Sequence, residues 1–378
     1  MQEIHSPEAF QEALEAGVPL TQLRLQGVDL APFEEQLHGR PDLVGRGVLR
    51  GSIPPGLDTH LRRHGTIIFP KHPQSPVAVY RDRLYHPAEL YNGITHGYDE
   101  TPDALAYRWA LDTELGKDTY ISMLKAIHDD AMSDAVTDLL EGRRVTGVMG
   151  GHNLARGTGG YRAAAELGHA LAQAGYLVLT GGGPGAMEAA NLGAFTRSPD
   201  KLEQALARLS EVPTFHPSID AWVTLAFEVR REIANGQGRD ERPHSVGIPT
   251  WFYGHEPPNV FCHAVAKYFS NAERENGLIT ASNAGVVVLP GAAGTVQEIF
   301  QACTPLYYHD EDRPGHDLPR LVLVGIEHWT EVLPAWPLVR ALAAGRPMSE
   351  HVHLVDDVAA AMELFPPVAV EPARAYSG

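Results

Sequence analysis

The chain has 378 residues, enough for two ordinary domains with a core each. Lys and Arg total 30 against 47 Asp and Glu, a formal charge of -17. A field of that sign repels a nucleic-acid backbone, so polymer binding is disfavoured, while a local anion pocket is not.

The N-terminal MQEIHSPEAFQEAL has no basic start and no apolar core, and no apolar run approaches membrane-spanning length. Cys262 and Cys303 are the only cysteines, and neither belongs to a paired motif. That usage fits a reducing compartment and excludes a disulfide framework or a zinc-cysteine site. A soluble, cytoplasmic protein without membrane association is expected.

Residues 1 to about 115 are dense in Pro, Gly and His, with apolar runs at GTIIFP (65 to 70) and VAVY (77 to 80) that predict strands. From Asp118 to Leu140 apolar residues recur at helical spacing, as Ile121, Leu124 and Ile127 and then Val136, Leu139 and Leu140. This predicts a helix leading into a second domain, with a boundary near Glu141. Residues 1–140 then form an N-terminal α+β extension whose role the sequence does not disclose, and 141–378 form the second domain.

After Glu141 the rhythm becomes buried strand, glycine turn, helix. TGVMGG (146 to 151) and YLVLTGGG (176 to 183) read as buried strands around a helix over YRAAAELGHALAQAG (161 to 175). AGVVVLPG (284 to 291) and LVLVG (321 to 325) supply two more. Strands alternating with helices predict an α/β doubly wound parallel sheet. Residues 196 to 260 are a long excursion with a helix and the aromatic stretch IPTWFYGHEPPN (248 to 259).

In an open parallel sheet, ligands sit beyond the carboxyl ends of the strands, where helix N-termini present free N–H groups. Three glycine turns fall at that edge: MGGH (149 to 152), TGGGPGAME (180 to 188) and LPGAAGT (289 to 295). Together they describe an anion cradle for phosphate. Gly183-Pro-Gly185-Ala-Met-Glu188 lacks the last glycine of the dinucleotide fingerprint, and no P-loop motif occurs.

Thr295-Val-Gln-Glu298 satisfies a capping box, in which Thr295 accepts from the first turn and Glu298 reaches back. Spacing alone favours that structural role. Val296, Ile299, Phe300 and Cys303 share one helix face, leaving Thr295 and Glu298 free to face a pocket mouth.

PGAAGTVQE (290 to 298) resembles the P-G-G-x-G-T-x-x-E motif of the LONELY GUY family, long labelled lysine-decarboxylase-like. TGGGPGAMEAAN (180 to 191) resembles the same family's GGG-x-x-G-x-M motif. The resemblance runs over about 145 to 310 and takes in MGGH, Tyr161 and Leu167-Gly168. It implies a Rossmann-like fold and hydrolysis of the N-glycosidic bond of AMP-like nucleoside 5'-monophosphates, without metal or other cofactor, in a homo-oligomer. The chain length is similar to that of the larger bacterial members.

Carried over by position, Glu298 is the catalytic carboxylate, and Arg274 is the arginine that binds phosphate or assists the departing base. Gly291, Gly294 and Thr295 hold the phosphate, with Gly150, Gly151, Gly181, Gly182, Gly183 and Gly185 completing the cradle. Two positions depart from the pattern. Ala292 replaces the second glycine, and Glu275 follows Arg274 where the family has a lysine. The bland alternative for Arg274 is a surface ion pair with Glu273 or Glu275.

His152 and Asn153 could touch ribose or phosphate, or simply stabilise a turn. Met187 reads as core and Glu188 as a partner of the helix dipole. Trp251, Phe252 and Tyr253 could stack on a base, although such a cluster more often belongs to a core. His60 with His64, and His351 with His353, lack metal-site spacing. Nothing marks Lys267 as a Schiff-base lysine, which argues against decarboxylation. A non-catalytic nucleotide sensor or molybdenum-cofactor carrier is the competing function, since it needs the cradle but no carboxylate at the sugar.

Overall fold

A computed structural model describes residues 2–40, 48–69, 75–79, 81, 83–235, 243–252, 256–309 and 318–368. Their contacts divide into two compact units: 1–83 with 113–135, and 84–112 with 136–378.

The first unit is a parallel sheet of four strands in the order β1-β2-β3-β4. In chain order its elements are β1 (Gln2–Ile4), α1 (Pro7–Glu15), β2 (Leu23–Asp29), α2 (Glu34–His38), β3 (Val48–Ser52), α3 (Pro55–Arg63) and β4 (Ile67–Phe69). Phe10 and Leu14 from α1, Leu57 and Leu61 from α3, and Leu23, Leu25 and Ile68 from the strands fill its core. The extension thus has the same strand-helix alternation as the larger unit. GTIIFP supplies β4 as predicted. VAVY forms no strand over 77–79: Val77 and Val79 are buried, but Ser75 Oγ donates to the Val77 carbonyl, a group a ladder would have used.

In the second unit, α4 (Pro87–Leu90) and α5 (Pro102–Leu111) come from the segment that the sequence assigns to the extension. Their attachment is polar and buried. Asp103 accepts from Lys267 Nζ (2.6 Å), Trp251 Nε1 (2.9 Å) and the Tyr98 hydroxyl (2.6 Å), and Tyr85 bridges Val265. A buried carboxylate with three donors holds its place strongly, because losing Lys267 strands its charge and losing either neutral donor removes a buried hydrogen bond. Such a return crossing leaves no periodic signature, so a boundary near Glu141 could not register it. Helix α6 spans Thr119–Leu140, as its spacing predicts.

The remaining elements are β5 (Val145–Met149), α7 (Gly159–Gln173), β6 (Leu177–Thr180), α8 (Ala186–Phe195), α9 (Pro199–Leu209), α10 (Ile219–Ala234), β7 (Ser245–Gly247), β8 (Ala264–Val265), α11 (Asn271–Ala281), β9 (Gly285–Val288), α12 (Ala293–Tyr307), β10 (Arg320–Val324), α13 (Trp336–Ala343), β11 (Val352–Val355) and α14 (Val358–Met362). Seven strands run parallel in the order β11-β10-β9-β5-β6-β7-β8. This is the expected α/β Rossmann-like sheet. The order grows outward from β5 in both directions, so the crevice of a doubly wound sheet falls between β5 and β9. The excursion after residue 196 contains two helices and β7 rather than one helix.

Helices α7 and α8 touch backbone to backbone. A Cβ built on Gly168 would lie 2.0 Å from the Ala190 carbonyl oxygen, and one on Gly193 would lie 1.9 Å from that of Ala165. Gly193→Ala is therefore expected to force the helices apart and cost about 1–3 kcal/mol. Thermal unfolding would show a midpoint several degrees lower, whereas an unchanged midpoint would mean that the helices separate freely.

Candidate functional site

The β5 turn and the β9 turn meet across the crevice. Gly151 N–H donates to the Pro290 carbonyl at 3.1 Å, and a Cβ on Gly150 would stand 2.8 Å from that of Ala186 and 3.1 Å from that of Leu289. The β6 turn closes the third side. Gly182 (φ +71°) and Gly185 (φ +72°) adopt the left-handed backbone that favours glycine.

A buried network fixes the β6 turn. Thr180 Oγ1 donates to Asn191 Oδ1 (2.7 Å), Asn259 Nδ2 donates to Asn191 Oδ1 (2.9 Å) and to the Gly183 carbonyl (3.1 Å), and Asn259 N–H donates to the Gly182 carbonyl (2.8 Å). Asn191 ends the motif TGGGPGAMEAAN, but its role becomes visible only in the fold.

Helix α12 begins at Ala293 with Ala292 as its N-cap, and no side chain caps it. Thr295 is thus inside the first turn and Glu298 in the second, so the capping-box reading does not hold. Ala292 has φ -122°, so this position does not need the left-handed backbone that favours glycine. Thr295 is buried beneath Gly291, where a Cβ would lie 2.2 Å from its hydroxyl oxygen. Gly294 faces open space.

Glu298 projects beside Arg274. Arg274 Nη1 lies 3.8 Å from Glu298 Oε1 and 3.8 Å from Glu275 Oε1, and its Nε donates to the Ile248 carbonyl at 2.8 Å. Arg274 is no surface arginine, since it is 8% exposed. It crosses directly over Gly181, where a Cβ would sit 2.3 Å from Nη2, so the glycine makes room for the guanidinium. Glu275 accepts from Gln297 Nε2 and from Gln301 Nε2 (3.3 Å), tying α11 to α12.

Burial pushes the Glu298 carboxyl up to about 7; the Arg274 guanidinium opposes the shift, and the carboxylates of Glu275 and Glu256 add to it. Glu256 carries no sequence signal of its own. It stands 3.5 Å from His152 Nδ1 and beside Gly183, bringing another carboxylate to the mouth. A carboxylate near 7 beside a guanidinium, under three glycine turns, can exchange a proton at neutral pH and stabilise developing positive charge.

The structure brings Glu298, Arg274 and the glycines of all three turns to one edge of the sheet. Met187 lies under the β6 turn, where a Cβ placed on Gly181 would meet its Sδ at 2.7 Å. Glu188, expected to serve the helix dipole, is instead buried and paired with Arg156, whose Nε donates to Oε2 at 3.0 Å and whose Nη2 donates to Oε1. Trp251 belongs to the core, stacked on Phe269 at 4.6 Å; Phe252 is exposed, and Tyr253 lies outside the described residues. Lys267 is spent on Asp103. Among the described residues no group of three or more His, Cys, Asp or Glu is placed to hold a metal, and no helix is long and apolar enough to cross a membrane.

Residues 143–198 match the SLOG cluster4 family. SLOG includes LONELY GUY-like proteins, but the match is not to the LONELY GUY family itself. It spans β5 to α8 and hence two of the three glycine turns. No curated protein matches the chain. Among solved structures, the molybdenum cofactor binding protein of the phototrophic bacterium Rippkaea orientalis is similar at 16% identity and a TM-score of 0.33, over 59% of this chain and 96% of that one. The molybdenum cofactor carrier protein of Chlamydomonas reinhardtii is similar at 20% identity and a TM-score of 0.34, over 58% and 94%. Likeness that distant carries no argument about function.

Proposed function

We propose that the seven-stranded unit binds a nucleoside 5'-monophosphate in the glycine cradle and hydrolyses its N-glycosidic bond, releasing free base and ribose 5-phosphate. The observation that carries this reading is Glu298 beside Arg274, with its carboxyl raised to about 7, where a binding site alone needs no carboxylate. The turns at Gly150 and Gly151, at Gly181, Gly182, Gly183 and Gly185, and at Gly291, Gly294 and Thr295 receive the phosphate. As the bond between C1' and the base nitrogen breaks, its electron pair leaves with the base and positive charge develops on the sugar. Ionised Glu298 stabilises that charge and takes a proton from the attacking water, whose oxygen bonds to C1', while the departing base nitrogen takes up a proton from solvent to leave as the neutral free base. Arg274 orients phosphate or the leaving base. No cofactor enters, the resemblance implies a homo-oligomer, and the sparse, unpaired cysteines fit a cytoplasmic setting.

The second reading is a non-catalytic nucleotide sensor or molybdenum-cofactor carrier. Glu275 favours it, because negative charge held by Gln297 and Gln301 stands where the LONELY GUY pattern has a lysine. The solved structures, taken by name, also stand closer to this reading than to the first, though their TM-scores do not carry it.

Chromatography of AMP, GMP, CMP and UMP incubated with the wild type separates the two. Release of base with ribose 5-phosphate is the expected result. No release from any of the four, with a pterin chromophore in the purified protein, would put the carrier first.

A further inference from the structure

The turn after β10 reaches the cradle from behind. Gly325 (φ +97°) ends that strand against the β9 turn, where a Cβ would lie 3.4 Å from Pro290 Cγ. The chain then winds through one π-helical turn over His328–Val332, in which Leu333 N–H donates to the His328 carbonyl, five residues back, at 2.7 Å. Wide turns of this kind are rare and recur at functional sites. Buried Trp329 anchors it: its Nε1 donates to the Val324 carbonyl at 2.9 Å, and its ring meets the His328 imidazole edge to face at 4.5 Å.

The imidazole held in this way touches the β9 turn. His328 Nε2 lies 3.1 Å from the Gly291 carbonyl oxygen, and since a carbonyl can only accept, Nε2 carries the proton and donates. That bond orients one peptide. In a trans peptide the C=O and N–H point opposite ways, so a Gly291 carbonyl drawn toward the β10 side directs the Ala292 N–H toward β5 and the crevice. Among the described residues that N–H has no hydrogen-bond partner, and neither have those of Ala293 and Gly294 in the first turn of α12. Ala292 supports the same orientation from within. Turning the peptide over would carry its φ from -122° to about +60°, where glycine is at ease and alanine is strained.

We propose that His328 is a positioning residue for the phosphate: through the Gly291 carbonyl it holds the β9 turn so that the Ala292 N–H faces the crevice as a donor to the anion. The inference rests on the phosphate reading of the cradle given above. His328 acts through the turn and not on the sugar or the base, so its loss should raise the KM for AMP and spare kcat.

Calorimetric titration with ribose 5-phosphate tests it without requiring turnover. His328→Phe, which keeps a ring against Trp329 but has no donor, is expected to bind about tenfold more weakly, the scale of one hydrogen bond to a charged group. His328→Gln, whose side-chain N–H can serve the same carbonyl, is expected to stay within about threefold of the wild type. His328→Leu repeats the donor-free measurement without the ring, and thermal unfolding confirms that each variant folds. A residue that merely packs against Trp329 would be better replaced by phenylalanine than by glutamine, so the order of the two variants separates positioning from packing. Wild-type affinity in the folded donor-free variants, or an equal loss in His328→Phe and His328→Gln, overturns the positioning role while the cradle stands. A wild type that does not bind ribose 5-phosphate overturns the phosphate reading itself, and the inference with it.

Discussion

Glu298→Gln is expected to reduce base release by a factor on the order of a hundred or more, the scale on which removal of one charge-stabilising group acts. Glutamine keeps the volume and one acceptor oxygen but can neither ionise nor accept the proton of the attacking water. The burial that raises the Glu298 carboxyl to about 7 disfavours its charge, so the amide sits in the same place without that penalty. The variant should therefore remain folded and still bind nucleotide, and its loss should appear in turnover rather than in KM. Rates measured at saturating AMP check this. A variant as active as the wild type would remove Glu298 from the chemistry and leave it a structural residue of α12.

Arg156→Met is expected to be among the most destabilising single changes in the second unit, by about 3–5 kcal/mol, because it leaves the Glu188 carboxylate buried without its cation. Both side chains are 1% exposed, and neither can turn to water. The arginine also holds the carbonyls of Val212 and Trp222, so part of the loss comes from those acceptors. Adding Glu188→Leu should recover much of the stability by removing the stranded charge, and the double-mutant cycle in urea unfolding measures the coupling. If the double variant is no better than the single one, the carbonyl contacts rather than the ion pair hold this region.

What can be read from the sequence is what burial makes continuous. Strands β5, β6, β9 and β10 are almost wholly buried, so each appears as an unbroken apolar run, and the glycine turns follow from their ends. Strands β7 and β8 have three and two residues and β11 carries a histidine, too little pattern to distinguish them from loops. The capping pattern at Thr295 misleads because α12 starts two residues earlier, on glycine and alanine turn residues that carry no side-chain cap.

The pairing of Arg274 with Glu298 is a different kind of fact. The two stand on separate helices, and no spacing rule joins them; the family resemblance supplies the match and the fold supplies the proximity. Arg156 and Glu188, 32 positions apart, have neither aid, and an arginine in NLARG looks like any loop arginine. Glu256 lies in the aromatic stretch 248 to 259, where no spacing sets it apart from its neighbours. Side chains that meet only through tertiary structure stay silent in a single sequence unless a motif names them.

The most direct test of nucleotide hydrolysis by the Glu298–Arg274 site is the rate of adenine release from AMP by the wild type between pH 5 and pH 9. With ionised Glu298 as the working form, the rate should fall as pH drops through about 7 and level off above it. Because Arg274 holds that carboxyl lower than burial alone would, Arg274→Gln should move the midpoint upward. Adenine release that follows this profile supports hydrolysis at this site. AMP that binds across the range and is never cleaved would contradict it and leave a carrier or sensor in its place.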